Sequence, residues 1–227
     1  AYHQVMDDPA ITEPIFDSTE KAGFRAVTWL DAGTRNFYTV DKPITSPADL
    51  KGLKIRVQQS PTNVEMMRLL GGSAAPMGFG EVYTALQSHI IDGAENNEMA
   101  LTDNGHGDVC KYYSYDMHQM VPDILIANDA FLNGLSQEEQ EIFQEGFRLV
   151  NQVQREAWVE AVENARDKAR NQQGVQFLYP DQKPFVEACR PLHKSILKNN
   201  PGLLEIYNAI QAYNAIYPAQ PESDDQP

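Results

Sequence analysis

The sequence predicts an α/β protein with mixed, largely parallel sheets. Short β-type runs alternate with helix signatures between Phe24 and Asp92, and one long amphipathic helix is written between Gln137 and Gln173. The chain has 227 residues, 42% hydrophobic and 22% charged, which is an ordinary globular composition with room for a sizeable core.

Residues 11–23 read as a helix stopped by glycine, and 24–30 as a strand. Residues 46–52, Ser-Pro-Ala-Asp-Leu-Lys-Gly, form one helical turn in capping chemistry. Ser46 caps, Pro47 suits the first helical position, Asp49 favours the positive end, and Gly52 closes in a left-handed conformation. Residues 53–57 then alternate as a short strand. Ser60-Pro61 opens a helix that Gly71-Gly72 closes, residues 73–76 are extended, and 81–88 form a short helix with Val82, Ala85 and Leu86 on one face. Ile90-Ile91-Asp92-Gly93 reads as a strand edge.

The strongest helix covers 137–173. Ser136 and Glu139 make an S-x-x-E capping box, and Phe143, Phe147, Val150, Ala157, Ala161 and Ala165 recur with the period of one helical face. Its length of about 55 Å exceeds the width of a compact domain of this size, so it is expected to bridge two lobes. A strand at 175–179 and helices from Gln182 and Pro201 follow. The acidic, proline-flanked residues 221–227 are expected to be disordered.

With 18 Lys+Arg against 32 Asp+Glu, the net charge is −14, a field that repels nucleic acid and anionic membranes. No apolar run approaches the roughly 18 residues of a membrane span. Two cysteines exclude a disulfide-dense scaffold, and spacing leaves open whether Cys110 meets Cys189. No Walker loop, G-x-S-x-G or H-E-x-x-H is present, so no cofactor is expected. His106, Cys110 and His118 lack a fourth partner at ordinary metal-site spacing. His3, His89 and His193 are isolated and read as structural.

Cations are scarce between Arg68 and Arg148, where Lys111 stands alone. Arg35 is read just after the strand at 24–30, and Arg56 inside the strand at 53–57. Ligands of open α/β sheets bind beyond the carboxyl ends of strands, and arginine grips a carboxylate through two parallel hydrogen bonds. Each is therefore a candidate anion anchor, with a surface ion pair as the plain alternative. Asn96, in Asp92-Gly93-Ala94-Glu95-Asn96-Asn97, is a neutral donor or simply a turn residue. Phe79, between Gly78 and Gly80, is a ligand-facing aromatic or a core residue.

Three segments together resemble the solute-binding proteins of tripartite ATP-independent periplasmic (TRAP) transporters of the DctP type. They are Ile44-Thr45-Ser46-Pro47-Ala48-Asp49-Leu50-Lys51-Gly52-Leu53-Lys54-Ile55-Arg56-Val57, Pro76-Met77-Gly78-Phe79-Gly80-Glu81-Val82-Tyr83-Thr84-Ala85-Leu86-Gln87, and Ile91-Asp92-Gly93-Ala94-Glu95-Asn96. The resemblance implies a two-lobe, periplasmic-binding-protein-like fold that is not an enzyme. It places the ligand carboxylate on Arg56, with Arg35 assisting, Asn96 donating to the same carboxylate and Phe79 packing on the ligand. It implies a membrane permease as partner and an extracytoplasmic location, free or lipid-anchored through a segment before Ala1.

Asn97 stands where many members have proline. The stretch through His106, His118 and Pro122-Asp123 resembles the branch that takes sugar acids such as uronates or keto-gulonates. Members also begin with a strand–helix–strand segment that this chain lacks. Residues 1–32 and 122–161 are then expected to be a remnant of the first lobe, and 33–121 with 162–220 the second, ligand-anchoring lobe. Open strand edges on the remnant would favour a dimer. The competing readings are a hydrolase or lyase working on a sugar acid through Asp or Glu with His118, and a truncated lobe without a transport role.

Overall fold

The computed structural model describes residues 2–216; the tail at 221–227 lies outside them. In chain order the elements are α1 (Tyr2–Met6), α2 (Pro9–Asp17), β1 (Phe24–Leu30), β2 (Thr34–Thr39), β3 (Lys54–Val57), α3 (Pro61–Leu70), β4 (Ser73–Pro76), α4 (Val82–Gln87), β5 (Gly93–Asn96), α5 (Met99–Thr102), β6 (Tyr112–Met120), β7 (Asp123–Asn128), α6 (Asp129–Asn133), α7 (Gln137–Asn171), β8 (Gln176–Leu178), α8 (Lys183–Asn199) and α9 (Leu204–Ile216). They divide into two compact units. Within the described residues, unit 1 takes 2–32, 122–159 and 200–216, and unit 2 takes 33–121 and 160–199.

Unit 2 is built on a six-stranded sheet of order β4-β3-β5-β2-β6-β8. β3 pairs parallel with β4 and β5, and β6 pairs parallel with β8. β2 is antiparallel to both β5 and β6. The sheet is therefore mixed and mostly parallel, with β2 alone running against the rest. Side chains alternate between the faces. Phe37, Ile55 and Val57 pack with Met66, Met67 and Leu70 of α3 and Phe185 of α8. Tyr38, Ala94, Tyr113 and Tyr115 pack with Val82 and Leu86 of α4, Leu101 of α5 and Ala169 of α7.

The turn before β3 forms as its capping chemistry requires. The Asp49 carboxylate accepts from the Thr45 and Ser46 backbone N–H groups, both at 2.9 Å, and from both hydroxyls. The Thr45 N–H leads the causes that hold its pKa below the ordinary value. Gly93 opens β5 where a Cβ would meet the Tyr38 carbonyl oxygen at 2.5 Å, so only glycine lets β5 approach β2.

Several expectations change. Residues 90–93 are not a strand edge. His89 has φ 54° and Ile90 is exposed, so the chain turns there and the strand begins at Gly93. The helix expected at 11–23 ends at Asp17, and a 3-10 turn, Glu20–Ala22, leads to Gly23 at φ 83°. β2, β6 and β7 were not legible. β2 and β6 bury Asn36, Ser114 and Asp116 beside aromatic residues, which erases the apolar–polar alternation of a half-buried strand.

α7 starts on its capping box, with the Ser136 N–H donating to Glu139 Oε2 at 2.8 Å, and ends at Asn171. The face expected to be buried is covered at Ala165, while Val150 and Ala157 are exposed. Both cysteines are free. Cys110 lies in the Tyr38 cluster and Cys189 against the Phe37 cluster, on opposite faces of the sheet.

Unit 1 contains α1, α2, α6, α9, the first part of α7 and an antiparallel β1–β7 pair with a register shift between Ala26 and Thr28. Residues 200–216, expected with the second lobe, cluster here instead. α9 packs against α1, and the Tyr213 hydroxyl donates to Asp8 Oδ2 at 2.8 Å. Ile124 and Ile126 of β7 and Ile142, Leu149 and Val153 of α7 are exposed.

Candidate functional site

The nominated residues meet at one edge of the unit 2 sheet. Arg56 is the third residue of β3 and Asn96 the last of β5, so both sit at carboxyl ends of parallel strands. Arg35, read only as following the strand at 24–30, lies near the start of a second strand, β2, inside the sheet. Because β2 runs antiparallel, its beginning pairs with the end of β5, Asn36 opposite Asn96, and with the end of β6, Arg35 opposite Gln119.

The two arginines differ in their partners. Arg35 is bonded directly to a carboxylate. Its Nε donates to Glu95 Oε2 at 2.5 Å, and its Nη2 to Glu95 Oε1 at 3.0 Å and to the Glu95 carbonyl at 2.8 Å. Its Nη1 donates to Asn96 Oδ1 at 3.0 Å. Arg56 is 4% exposed, yet its hydrogen bonds go to a single neutral acceptor, the Met77 carbonyl, at 3.2 Å from Nε and 3.0 Å from Nη2. Among the described residues no carboxylate pairs with it. Burial is the main cause lowering its pKa. The Glu95 charge opposes that lowering from a distance, without a contact; a buried guanidinium without a directly bonded anion is costly, and an incoming carboxylate would supply one.

Asn96 is oriented by its neighbours. Its Oδ1 accepts from Arg35 and, at 2.9 Å, from the Asn97 N–H. With the oxygen occupied, the Nδ2 amide is the group left to donate outward. A proline at 97 would have no N–H for this task. The Asn97 side-chain oxygen accepts from the N–H of Met99, the first residue of α5, at 3.2 Å. Phe79 is 38% exposed, with the Arg56 guanidinium 5.5 Å from its ring centroid.

Glu95, His118 and Asp116 support this edge, and none of them was singled out as a partner of Arg35. The His118 ring stacks on Phe37 at 4.3 Å. Its Nδ1 is 2.7 Å from Asp116 Oδ2, and its Nε2 is 3.6 Å from Glu95 Oε2. Burial alone would lower the His118 pKa, but the flanking carboxylates win and raise it to about 9. Burial alone would raise that of Glu95, but His118 and Arg35 hold it below the ordinary value. Glu95 lies inside the third signature, where its position one residue before Asn96 was the available signal. His118 is held in this network with its side chain 1% exposed, so it presents no open face to a substrate. His106 is bonded to Tyr38 instead, and no described group of His, Cys, Asp and Glu forms a metal set.

The sequence model of the bacterial extracellular solute-binding proteins, family 7 (DctP), matches residues 1–200. The chain belongs to that family. It is 44% identical over 210 residues to the uncharacterized protein YiiZ of Salmonella typhimurium, covering 92% of this chain and 64% of that protein. Among solved structures it is similar to a TRAP periplasmic solute-binding protein from Anaerococcus prevotii with bound D-glucuronate. That match has 67% identity and a TM-score of 0.93, and it covers 96% of this chain and 70% of the other. A TRAP periplasmic solute-binding protein from Xanthobacter autotrophicus with bound β-D-galacturonate gives 34% identity and a TM-score of 0.88, covering 93% and 70%.

The chain therefore spans somewhat less than two thirds of the length of YiiZ. Solute-binding proteins of this family are not enzymes, in keeping with the burial of His118. No described helix is long and apolar enough to cross a membrane.

Proposed function

We propose that this DctP-family chain is the receptor part of a TRAP transporter, capturing a sugar acid of the uronate type and delivering it to a membrane permease. Arg56 would grip the carboxylate, Asn96 Nδ2 would donate to it, Phe79 would cover the apolar face of the sugar, and Arg35 would hold Asn96 in place. The observation that carries this reading is the buried Arg56 guanidinium with no carboxylate partner among the described residues. The glucuronate and galacturonate in the two solved relatives support the ligand class.

The test is a calorimetric and thermal-shift titration of the chain with D-glucuronate, D-galacturonate and D-glucose. Either uronate at a hundred times its Kd is expected to stabilise the fold by about 2.7 kcal/mol, and D-glucose, lacking the carboxylate, to have no effect. Equal responses to glucose and glucuronate, or no response to any uronate, would remove the proposal.

Self-association of this chain through unit 1 is a separate proposal. β1 and β7 each have one open edge among the described residues, and Ile124 and Ile126 stand exposed beside them. Sedimentation over a range of concentrations is expected to show a dimer; a monomer at every concentration would rule it out.

A further inference from the structure

His106 is 2% exposed and lies beside the Arg56–Phe79 face. The Phe79 ring has the Arg56 guanidinium 5.5 Å from its centroid and the His106 ring at the same centroid distance. Tyr83 stacks on the same imidazole at 6.5 Å. Among the described residues, the only hydrogen bond His106 makes through its side chain joins Nδ1 to the Tyr38 hydroxyl at 2.8 Å.

That bond decides the tautomer. The Tyr38 hydroxyl is fully buried and has no other partner among the described residues, so it satisfies its hydrogen by donating to Nδ1. The opposite arrangement, Nδ1–H donating to the phenol oxygen, would leave the phenol hydrogen buried and unpaired. Nδ1 is therefore the acceptor, and the ring proton sits on Nε2. Burial and the neighbouring Arg56 charge hold the His106 pKa down to about 4, so the ring is neutral at physiological pH. Nε2–H is then a donor with no partner among the described residues, on a nearly buried side chain whose ring contacts Phe79.

We propose that His106 Nε2–H is a specificity-determining donor of the site, reading a hydroxyl or ring oxygen of a sugar acid whose carboxylate lies on Arg56. This rests on the sugar-acid reading above. A neutral donor suits the place, since a second cation beside Arg56 would raise the cost of the ligand-free state. It also discriminates: a carboxylate without the matching oxygen would leave the N–H unpaired.

The test uses the 227-residue chain with 15N-labelled histidine, and D-glucuronate against cyclohexanecarboxylate, which keeps ring and acid but has no hydroxyl. Long-range 1H–15N spectra at neutral pH are expected to show His106 as the Nε2–H tautomer, with Nε2 shifting on addition of glucuronate and not of cyclohexanecarboxylate. His106→Phe, which keeps an aromatic ring against Phe79, is expected to lose about ten-fold in glucuronate affinity and nothing for cyclohexanecarboxylate. His106→Gln should recover part of the loss. Tyr38→Phe keeps the imidazole, releases the tautomer and should give a smaller loss.

An Nδ1–H tautomer, an Nε2 resonance indifferent to glucuronate, or parallel losses for both ligands would overturn the assignment. A wild-type chain that prefers glucuronate, with the preference intact in His106→Phe, overturns only the role of His106. A wild-type chain with no preference for glucuronate overturns the sugar-acid reading, and this inference with it.

Discussion

Arg56→Ala is expected to weaken uronate binding by at least about a hundred-fold, the scale for removing one partner of a desolvated, hydrogen-bonded charge pair. Arg56 is the described cation of the site that is buried and bonded to no carboxylate. The Met77 carbonyl fixes the guanidinium plane through Nε and Nη2 without neutralising it. Arg56→Lys should recover only a fraction, because an ammonium cannot offer the planar fork that meets both carboxylate oxygens.

The same residue is expected to carry an opposite effect on the ligand-free chain. Replacing even a buried ion pair by apolar side chains of similar volume is often neutral or stabilising, by about 1–4 kcal/mol, and Arg56 has no direct carboxylate contact to lose among the described residues. Arg56→Met should therefore hold or raise urea stability while abolishing the thermal shift from D-glucuronate. Unchanged glucuronate affinity in Arg56→Ala would show that the anchor is elsewhere.

Glu95→Gln is expected to cost about 3–5 kcal/mol of stability, because it strands two buried cations at once. Arg35 loses a two-oxygen partner, and His118 loses one of the two carboxylates beside it. Asn96 then loses a fixed Arg35 and binding weakens as well, although Glu95 is fully buried.

The network has a pH signature. The His118 pKa is raised from 6.5 to about 9 in the fold, so its stabilising contribution is complete below 6.5 and is lost as pH rises through about 9. The Glu95 pKa is lowered, so its contribution is present above the ordinary carboxylate range and lost as acid titrates it. Urea unfolding at a series of pH values should show wild-type stability declining across that alkaline window, with the decline absent in His118→Gln. An unchanged decline in that variant would mean that another group sets it.

Local chemistry was legible wherever the chain carries its own instructions. The Ser46–Gly52 turn, the helix ended by Gly71 and the start of α7 on Ser136 each form with neighbours a few residues away, so capping pattern alone places them. Arg56 was placed correctly as a strand residue for the same reason. β2 and β6 were not legible, because strands buried among tyrosines, an asparagine and an aspartate carry no simple hydropathy pattern. Without β2, the sequence places Arg35 only as a residue that follows β1.

The sequence by itself determined the family and the fold class, and it nominated Arg56, Phe79 and Asn96 for the proposed site because they lie inside contiguous signatures whose order is a property of the chain. Only the tertiary structure decided which partners the two arginines meet. Both are cations near a strand end, and nothing local tells them apart. The difference is that β2 runs against its neighbours, setting Arg35 beside the Glu95 carboxylate and leaving Arg56 with a backbone carbonyl. Charge compensation is a property of neighbours in space, and pairing across a sheet brings together residues 60 positions apart.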